Sequence, residues 1–306
     1  MEQLFDVSLL SSTIRMVAPI LLAALGGMLC TRVGIFNVGL EGLIITGAFT
    51  AVVGNYYTHN LILAVLMAAA SSVLLSLLFG FMTIKMKANE IVVGVAINFL
   101  GLGLTTFFLR TIFHVKGAYY NKDMEGLPHW KIPVIDKIPF FGDVFSGHSP
   151  LVYLAIILAI LFYIFFYKTV AGFRMLAVGF NAAASKTVGI KVQTWQYLAI
   201  ALCGALCGLA GAQLSLGQVT MFSEGMSSGR GFIALVAMML GQSHPIGVLA
   251  SSLLFGLMDA LSTRLQGLSV PTQFTMMIPF VLTLLAMFFL KDKGVDQNQS
   301  GQQSSR

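Results

Sequence analysis

The chain has 306 residues, of which 57% are hydrophobic and only 10% are charged. Soluble domains carry about 25% charged residues, so a mean hydropathy of +0.86 excludes one and makes this an integral membrane protein. The net charge of +6 predicts no nucleic-acid surface, because the basic residues sort by loop and form no stripe.

Nine apolar segments are predicted, at about 10–30, 34–54, 61–83, 90–111, 150–168, 194–216, 230–241, 246–263 and 273–290. Most reach the roughly 20 residues that cross a bilayer as helix. The expected fold is therefore all-α: a polytopic bundle of about 8–10 transmembrane segments, some broken or re-entrant. The first segment holds Arg15 and Pro19 and is expected to begin as an interfacial helix. No cleaved signal peptide is expected, since a basic n-region and a cleavage site are lacking.

The second segment, "FNVGLEGLIITGAF", puts Asn37 and Glu41 among Gly39, Gly42 and Gly47. Glu41 lies about 10 Å into the apolar run, where a charge costs a few kcal/mol or more unless it faces protein or water. Read as one continuous helix, the segment places Asn37 one turn earlier on the same face. Two readings stay open: a polar translocation path, or a hydrogen-bond anchor between helices. In the fourth segment, Asn89 is expected to cap the helix and Glu90 to sit at its positive end. Asn98 lies deeper, on a face with Gly101 and Thr105, and is a second path candidate because its amide must find a partner.

Two loops are longer than a connection requires. Residues 112–149 mix Pro, Gly and aromatics and are expected to meet a partner outside. Residues 168–193 contain a helix-forming run, Asn181 to Val188, closed by Gly189; with nothing of its own to cover, that helix is expected to dock something. The sixth segment carries a Gly204, Gly208, Gly211 and Ser215 stripe read as helix packing, with Gln213 beside it. Cys30, Cys203 and Cys207 are read as small packing residues.

Segment seven is too short to cross alone and is expected to form a partial span with "GQSHPIG". Arg230 is expected to snorkel from its outer end, and His244 to be a solvated turn residue. In segment eight, Ser252, Gly256 and Asp259 share a face, with cavity and packing readings both open. If the segments alternate, Arg32, Lys85, Lys87, Lys168, Arg174, Lys186, Lys191, Lys291 and Lys293 fall on one side. By the positive-inside rule that side is cytoplasmic, which puts the N-terminus outside and the C-terminus inside. Residues 293–306 are polar and low in complexity, and are expected to be a disordered cytoplasmic tail. No GxxxxGK[ST], HExxH or nucleophile elbow appears, so an enzyme is not expected, and no metal site is assigned.

"FNVGLEG", "ANEIVVGVAINFLGLGLTTF", "GFRMLAVGFNAAASKTVGI" and "GRGFIALVAMMLGQSHPIGVLASSLLFGLMDAL" resemble, in this order, ABC-importer permeases of the branched-chain amino acid and ribose class. They are most similar to the shorter permease of bacterial nucleoside importers. The resemblance spans about residues 20–290 and implies a non-catalytic permease, residues 1–292, that admits nucleosides by alternating access. It further implies a second homologous permease, a cytoplasmic ATPase with two fused nucleotide-binding cassettes, and an extracellular substrate-binding lipoprotein in a bacterial plasma membrane. The permease itself would hold no cofactor, ATP and magnesium belonging to the ATPase. Gly179, Asn181, Ala183, Ala184, Gly189 and Ile190 would sit at the ATPase contact. Phe180 and Ala182 depart from the family's acidic-Asn-Pro pattern, which leaves the pose of the coupling helix open. Asn37, Asn98 and Gln213 would offer hydrogen bonds to a neutral nucleoside, with Glu41 and Asp259 along the same path. The alternatives are a ribose-like sugar or branched-chain amino acid permease, and an ion-coupled secondary transporter working through Glu41 or Asp259.

Overall fold

The computed structural model describes residues 7–121, 124–130, 146–266 and 281. Ten helices account for most of them: α1 (Val7–Arg32), α2 (Leu40–Thr58), α3 (Leu61–Gly80), α4 (Glu90–Phe113), α5 (Pro150–Lys168), α6 (Val170–Phe180), α7 (Ala182–Thr187), α8 (Val192–Ala212), α9 (Arg230–Leu240) and α10 (Pro245–Gln266). π-helical turns prolong α3 over Phe81–Lys85 and α8 over Gln213–Gln218. Among the described residues, six stretches are long and apolar enough to cross a membrane, built on α1, α3, α4, α5, α8 and α10. The chain is a multi-pass, all-α membrane protein. Segment nine, apart from residue 281, and the 293–306 tail lie outside the described residues, as do residues 122–123 and 131–145 of the 112–149 loop.

The bundle has an inside and an outside. Of their apolar windows, 89% is buried in α1 and 72% in α8, against 28% in each of α3, α4 and α5. α2 joins the interior, burying Leu40, Leu43, Ile44, Ala48 and Val52. The outer helices expose Ile62, Leu74, Phe99, Phe107 and Ile157, which suits hydrocarbon. Lipid tails are as apolar as leucine, so small residues and polar contacts must hold such helices together. The predicted glycine stripe serves this purpose. Gly204 lies against Ser72 and Ser76, Gly208 against Ala68 and Gly47, and Gly211 against Ile44 and Ala48. Ser72 Oγ donates to the Leu43 carbonyl at 2.9 Å and Ser76 Oγ to that of Ile200 at 3.0 Å. Cys30, Cys203 and Cys207 are free and buried in this core.

At the end bearing the long loop, β1 (Ala118–Tyr119) pairs antiparallel with β2 (Phe222–Ser223). Phe113 stacks on Tyr119 at 3.8 Å, and Leu127 N donates to the Leu216 carbonyl at 2.9 Å. The described part of the loop is thus pinned to the segment between α8 and α9. The opposite end carries Arg32, Lys85, Lys87 and α7 and is the basic end.

Three expectations need correction. The second segment is not helical from residue 34: Gly34 has φ +80° and closes α1, and α2 starts only at Leu40. Asn37 therefore precedes the helix and does not share a helical face with Glu41. Residues 170–180 form an amphipathic helix that buries Gly172, Met175 and Val178, where a loop had been expected ahead of the short run. Arg230 does not snorkel, because its side chain is only 17% exposed and is paired with Asp259. The short α7 does follow expectation. Asn181 Oδ1 accepts from Ala184 N at 3.0 Å as its N-cap, and Gly189 has φ +82° just beyond it.

Candidate functional site

The polar residues gather where backbone breaks inside the membrane. Between α1 and α2 the chain runs non-helically from residue 33 to 39, and N–H groups freed from a helix need acceptors wherever they are buried. The neighbours supply them. Phe36 N donates to Glu90 Oε2 at 2.6 Å, and Gly39 N to Asn37 Oδ1 at 2.9 Å. Asn37 is buried, and its Nδ2 reaches Cys203 Sγ at 3.6 Å. Asn98 holds both sides of the break: its Oδ1 accepts from Gly42 N at 2.8 Å and its Nδ2 donates to the Val38 carbonyl at 3.0 Å. Gly39, the N-cap of α2, has no side chain to offer, so α4 caps α2 from outside. The approach this needs is close. A Cβ on Gly42 would meet the Asn98 Cα at 2.8 Å, and one on Gly101 would meet the Gly42 Cα at 2.9 Å. Asn89 meanwhile caps α4 locally, as expected, accepting from Ile91 N at 2.9 Å.

Glu41 performs the same service for α9. Its Oε1 accepts from Gly229 N at 2.8 Å and its Oε2 from Gly231 N at 2.6 Å. A carboxylate on the first N–H groups of a helix gains from charge-assisted hydrogen bonds and from the helix dipole. The helix start in question is deep. α9 has 11 residues, about 16 Å of rise against a hydrocarbon core of about 30 Å. Its far end is held at the basic end, where Arg32 Nε donates to the Ser243 carbonyl at 2.6 Å and Thr31 Oγ1 touches Met238 Sδ at 3.2 Å. The N-terminus of α9 therefore stops near mid-membrane, a half-helix of the kind that lines solute sites in transporters.

Beside it, Arg230 Nη2 donates to Asp259 Oδ2 at 3.0 Å, the two side chains being 17% and 18% exposed. Asp259 lies about 21 Å along α10 from Pro245 at 1.5 Å per residue, so the pair is also far from the basic end. Arg230 Nε and Ser252 Oγ are buried without hydrogen-bond partners among the described residues. Gln213 stands apart from this group. It is fully buried in the π-helical turn, and its Oε1 accepts from Ser149 Oγ at 2.6 Å. The structure thus brings Asn37, Glu41 and Asn98 together around two helix starts, sets Asp259 next to them through Arg230, and places Gln213 elsewhere. Arg230 is the polar partner that sequence reasoning missed. Its signal was available in the Asp259 that needs a counter-charge within the same hydrophobic stretch.

At the basic end, α7 buries only Ser185 and leaves Ala182, Ala183 and Ala184 exposed. Phe180 is 87% and Val188 75% exposed on either side of it. Gly179 packs on the Arg32 carbonyl and Gly34, tying this segment to the end of α1. A cavity of about 870 Å³ opens between α7 and the α3–α4 turn, lined by Ala183, Gly189 and Ile190 on one wall and Thr83 and Glu90 on the other.

Residues 9–287 match the family described as branched-chain amino acid transport system / permease component. The nucleoside ABC transporter permease protein NupC of Lactococcus lactis is 33% identical over 294 residues, covering 92% of each chain. The guanosine ABC transporter permease protein NupQ of Bacillus subtilis is 36% identical, covering 90% of this chain and 89% of its own. A metal-chelate type ABC transporter solved in an inward-facing conformation superposes with a TM-score of 0.52 at 17% identity, over 92% of this chain and 86% of the other. At that identity the likeness concerns the fold.

Proposed function

We propose a function from one premise: the chain belongs to the branched-chain amino acid transport system / permease component family. It is the transmembrane permease subunit of an ATP-binding cassette importer, and its solutes are nucleosides. The observation that carries the substrate class is the pair of relatives named for nucleosides and guanosine, each matched over nine-tenths of this chain or more. Residues 1–292 act as one permease domain in a bacterial plasma membrane, with the N-terminus outside and the basic end and the tail in the cytoplasm. The chain does not hydrolyse ATP; that chemistry, with its magnesium, belongs to a separate ATPase subunit with two fused cassettes.

The exposed α7 supports docking of that ATPase on residues 168–193. A helix of six residues that buries one side chain gains nothing from being held out unless another protein covers it. Phe180, exposed beside it, makes this contact more apolar. Gly179 links it to α1, so a push at α7 reaches the bundle core through Arg32 and Gly34. A second permease completes the transmembrane unit, and a lipoprotein outside delivers the solute.

A neutral nucleoside needs hydrogen bonds and no fixed counter-charge. The region around α9 supports such a path: Arg230 keeps an unpartnered Nε, and Glu41 and Asp259 are held by their own partners. Asn37, Asn98 and Glu41 shape the walls by holding helix starts in place, and solute meets what they position. Weak contacts suit a path that must also release. Uptake of radiolabelled guanosine by cells expressing the complete importer is expected to fall on addition of excess unlabelled adenosine or cytidine, and to be unchanged by excess ribose or leucine. Competition by leucine or ribose alone would overturn the substrate class while leaving the family intact.

A further inference from the structure

At the loop end of the bundle, away from the α9 half-helix, we infer that a pocket takes a small oxyanion of phosphate chemistry. The pocket holds about 90 Å³ and is lined by Arg15, His129, His148, Ser149, Gln213 and Gly217, among others. Gln213 carries the argument. It is fully buried, its Oε1 is engaged by the Ser149 hydroxyl at 2.6 Å, and its Nε2 has no acceptor among the described residues. Leaving a buried N–H unpaired costs about 1–3 kcal/mol, so an acceptor in the pocket is strongly favoured.

The rest of the wall says which acceptor. Ser149 is the N-cap residue of α5, followed by Pro150, yet its side chain makes no cap hydrogen bond to that helix. Its hydroxyl is turned to Gln213 instead. Arg15 is exposed, and its guanidinium makes no hydrogen bond or ion pair with the described residues; only its carbonyl is engaged, by Gln218 Nε2 at 3.1 Å. No Asp or Glu lines the cavity among the described residues. One buried, unpartnered N–H donor and one exposed guanidinium, with no carboxylate among the described lining residues, favour an anion over water alone.

Size narrows the class. At about 30 Å³ per water the pocket has room for about three waters, or one tetrahedral oxyanion, and is well below the roughly 300 Å³ where pockets for drug-sized ligands begin. A nucleoside does not fit, so this site is separate from the proposed transport path and does not depend on it. Gly217 keeps the cradle open, because a Cβ there would come within 2.7 Å of Gln213 Cδ. The π-helical turn over Gln213–Gln218 brings both residues to the same wall, in keeping with the frequent use of π turns at functional sites.

The test uses the full chain purified in neutral maltoside micelles. Inorganic phosphate, titrated at constant ionic strength against chloride, is expected to raise the melting temperature saturably. Arg15→Gln, at an exposed position that leaves the fold intact, is expected to weaken the apparent affinity at least tenfold, and Gln213→Glu, nearly isosteric but anionic, to abolish the response. Glycerophosphoglycerol is titrated in parallel, and a response to it in place of phosphate assigns the oxyanion to a lipid headgroup. No response to either probe, or an equal response to chloride, or an unchanged response in Arg15→Gln, overturns the proposal.

Discussion

Glu41→Ala is expected to lower the amount of folded protein in membranes severalfold and to shift the melting temperature of what remains far downward. The carboxylate accepts from Gly229 N and Gly231 N, and hydrogen bonds to a charged group contribute about 1.5–3 kcal/mol each. Losing both removes about 3–6 kcal/mol from a fold whose total stability is typically about 5–15 kcal/mol. The orphaned N–H groups of Gly229 and Gly231 have no other acceptor among the described residues. Glu41→Gln keeps one acceptor oxygen and turns an NH₂ group toward the second N–H, so its loss should fall between Ala and wild type. Fluorescence-detected size-exclusion profiles and melting curves of the three proteins read this directly. A Glu41→Ala protein that folds and melts like wild type and fails only in uptake would make Glu41 a solute contact and not an anchor.

The second large effect concerns the Arg230–Asp259 pair. Arg230→Met is expected to destabilise strongly, because it strands a carboxylate whose side chain is 18% exposed; breaking a buried pair from one side costs about 3–5 kcal/mol. Asp259→Leu strands the guanidinium instead, with a similar result. The double variant Arg230→Met with Asp259→Leu should regain most of the lost thermal stability, since replacing both members of a buried ion pair by apolar groups is often close to neutral. Its uptake should stay impaired if this pair lines the solute path, which separates stability from transport in one set of proteins. Additive losses in the double variant would mean that the two side chains do not depend on one another.

These two effects also mark where sequence reading stopped. Uniform apolar runs such as that of α3 are visible to any hydropathy window, and the outer helices were placed to within a few residues. The glycine stripe of α8 was legible for the same reason, as spacing along one helix. The start of α2 was not, because residues 34–39 are as apolar as the helix that follows. What ends α1 is a single left-handed glycine, Gly34, and what begins α2 is a cap donated by Asn98, 56 residues away. Glu41 was marked as costly from its position alone. Its partners lie 188 and 190 residues further on, beyond any local pattern, so path and anchor could not be told apart. Arg230 was misplaced because a half-helix was treated as though its start reached the membrane surface. α6 was missed because a charged, glycine-bearing loop hid the spacing of Gly172, Met175 and Val178, which only packing against the bundle makes meaningful.

Four of the site residues therefore share a physical theme. A membrane interior tolerates broken helices only where neighbours satisfy the freed backbone, and Asn37, Glu41, Asn98 and Glu90 each supply an acceptor to such a break. Breaks held this firmly make rigid pieces, and rigid pieces can be moved against one another by a force applied elsewhere. The segment bearing the exposed α7 is packed on the end of α1 through Gly179.

The most direct measurement is guanosine uptake into proteoliposomes of defined content. With this chain, its second permease, the ATPase and the external binding protein all present, accumulation should require ATP and stop when the ATPase is left out. Accumulation by this chain alone, with or without an ion gradient, would contradict an ATP-driven permease subunit.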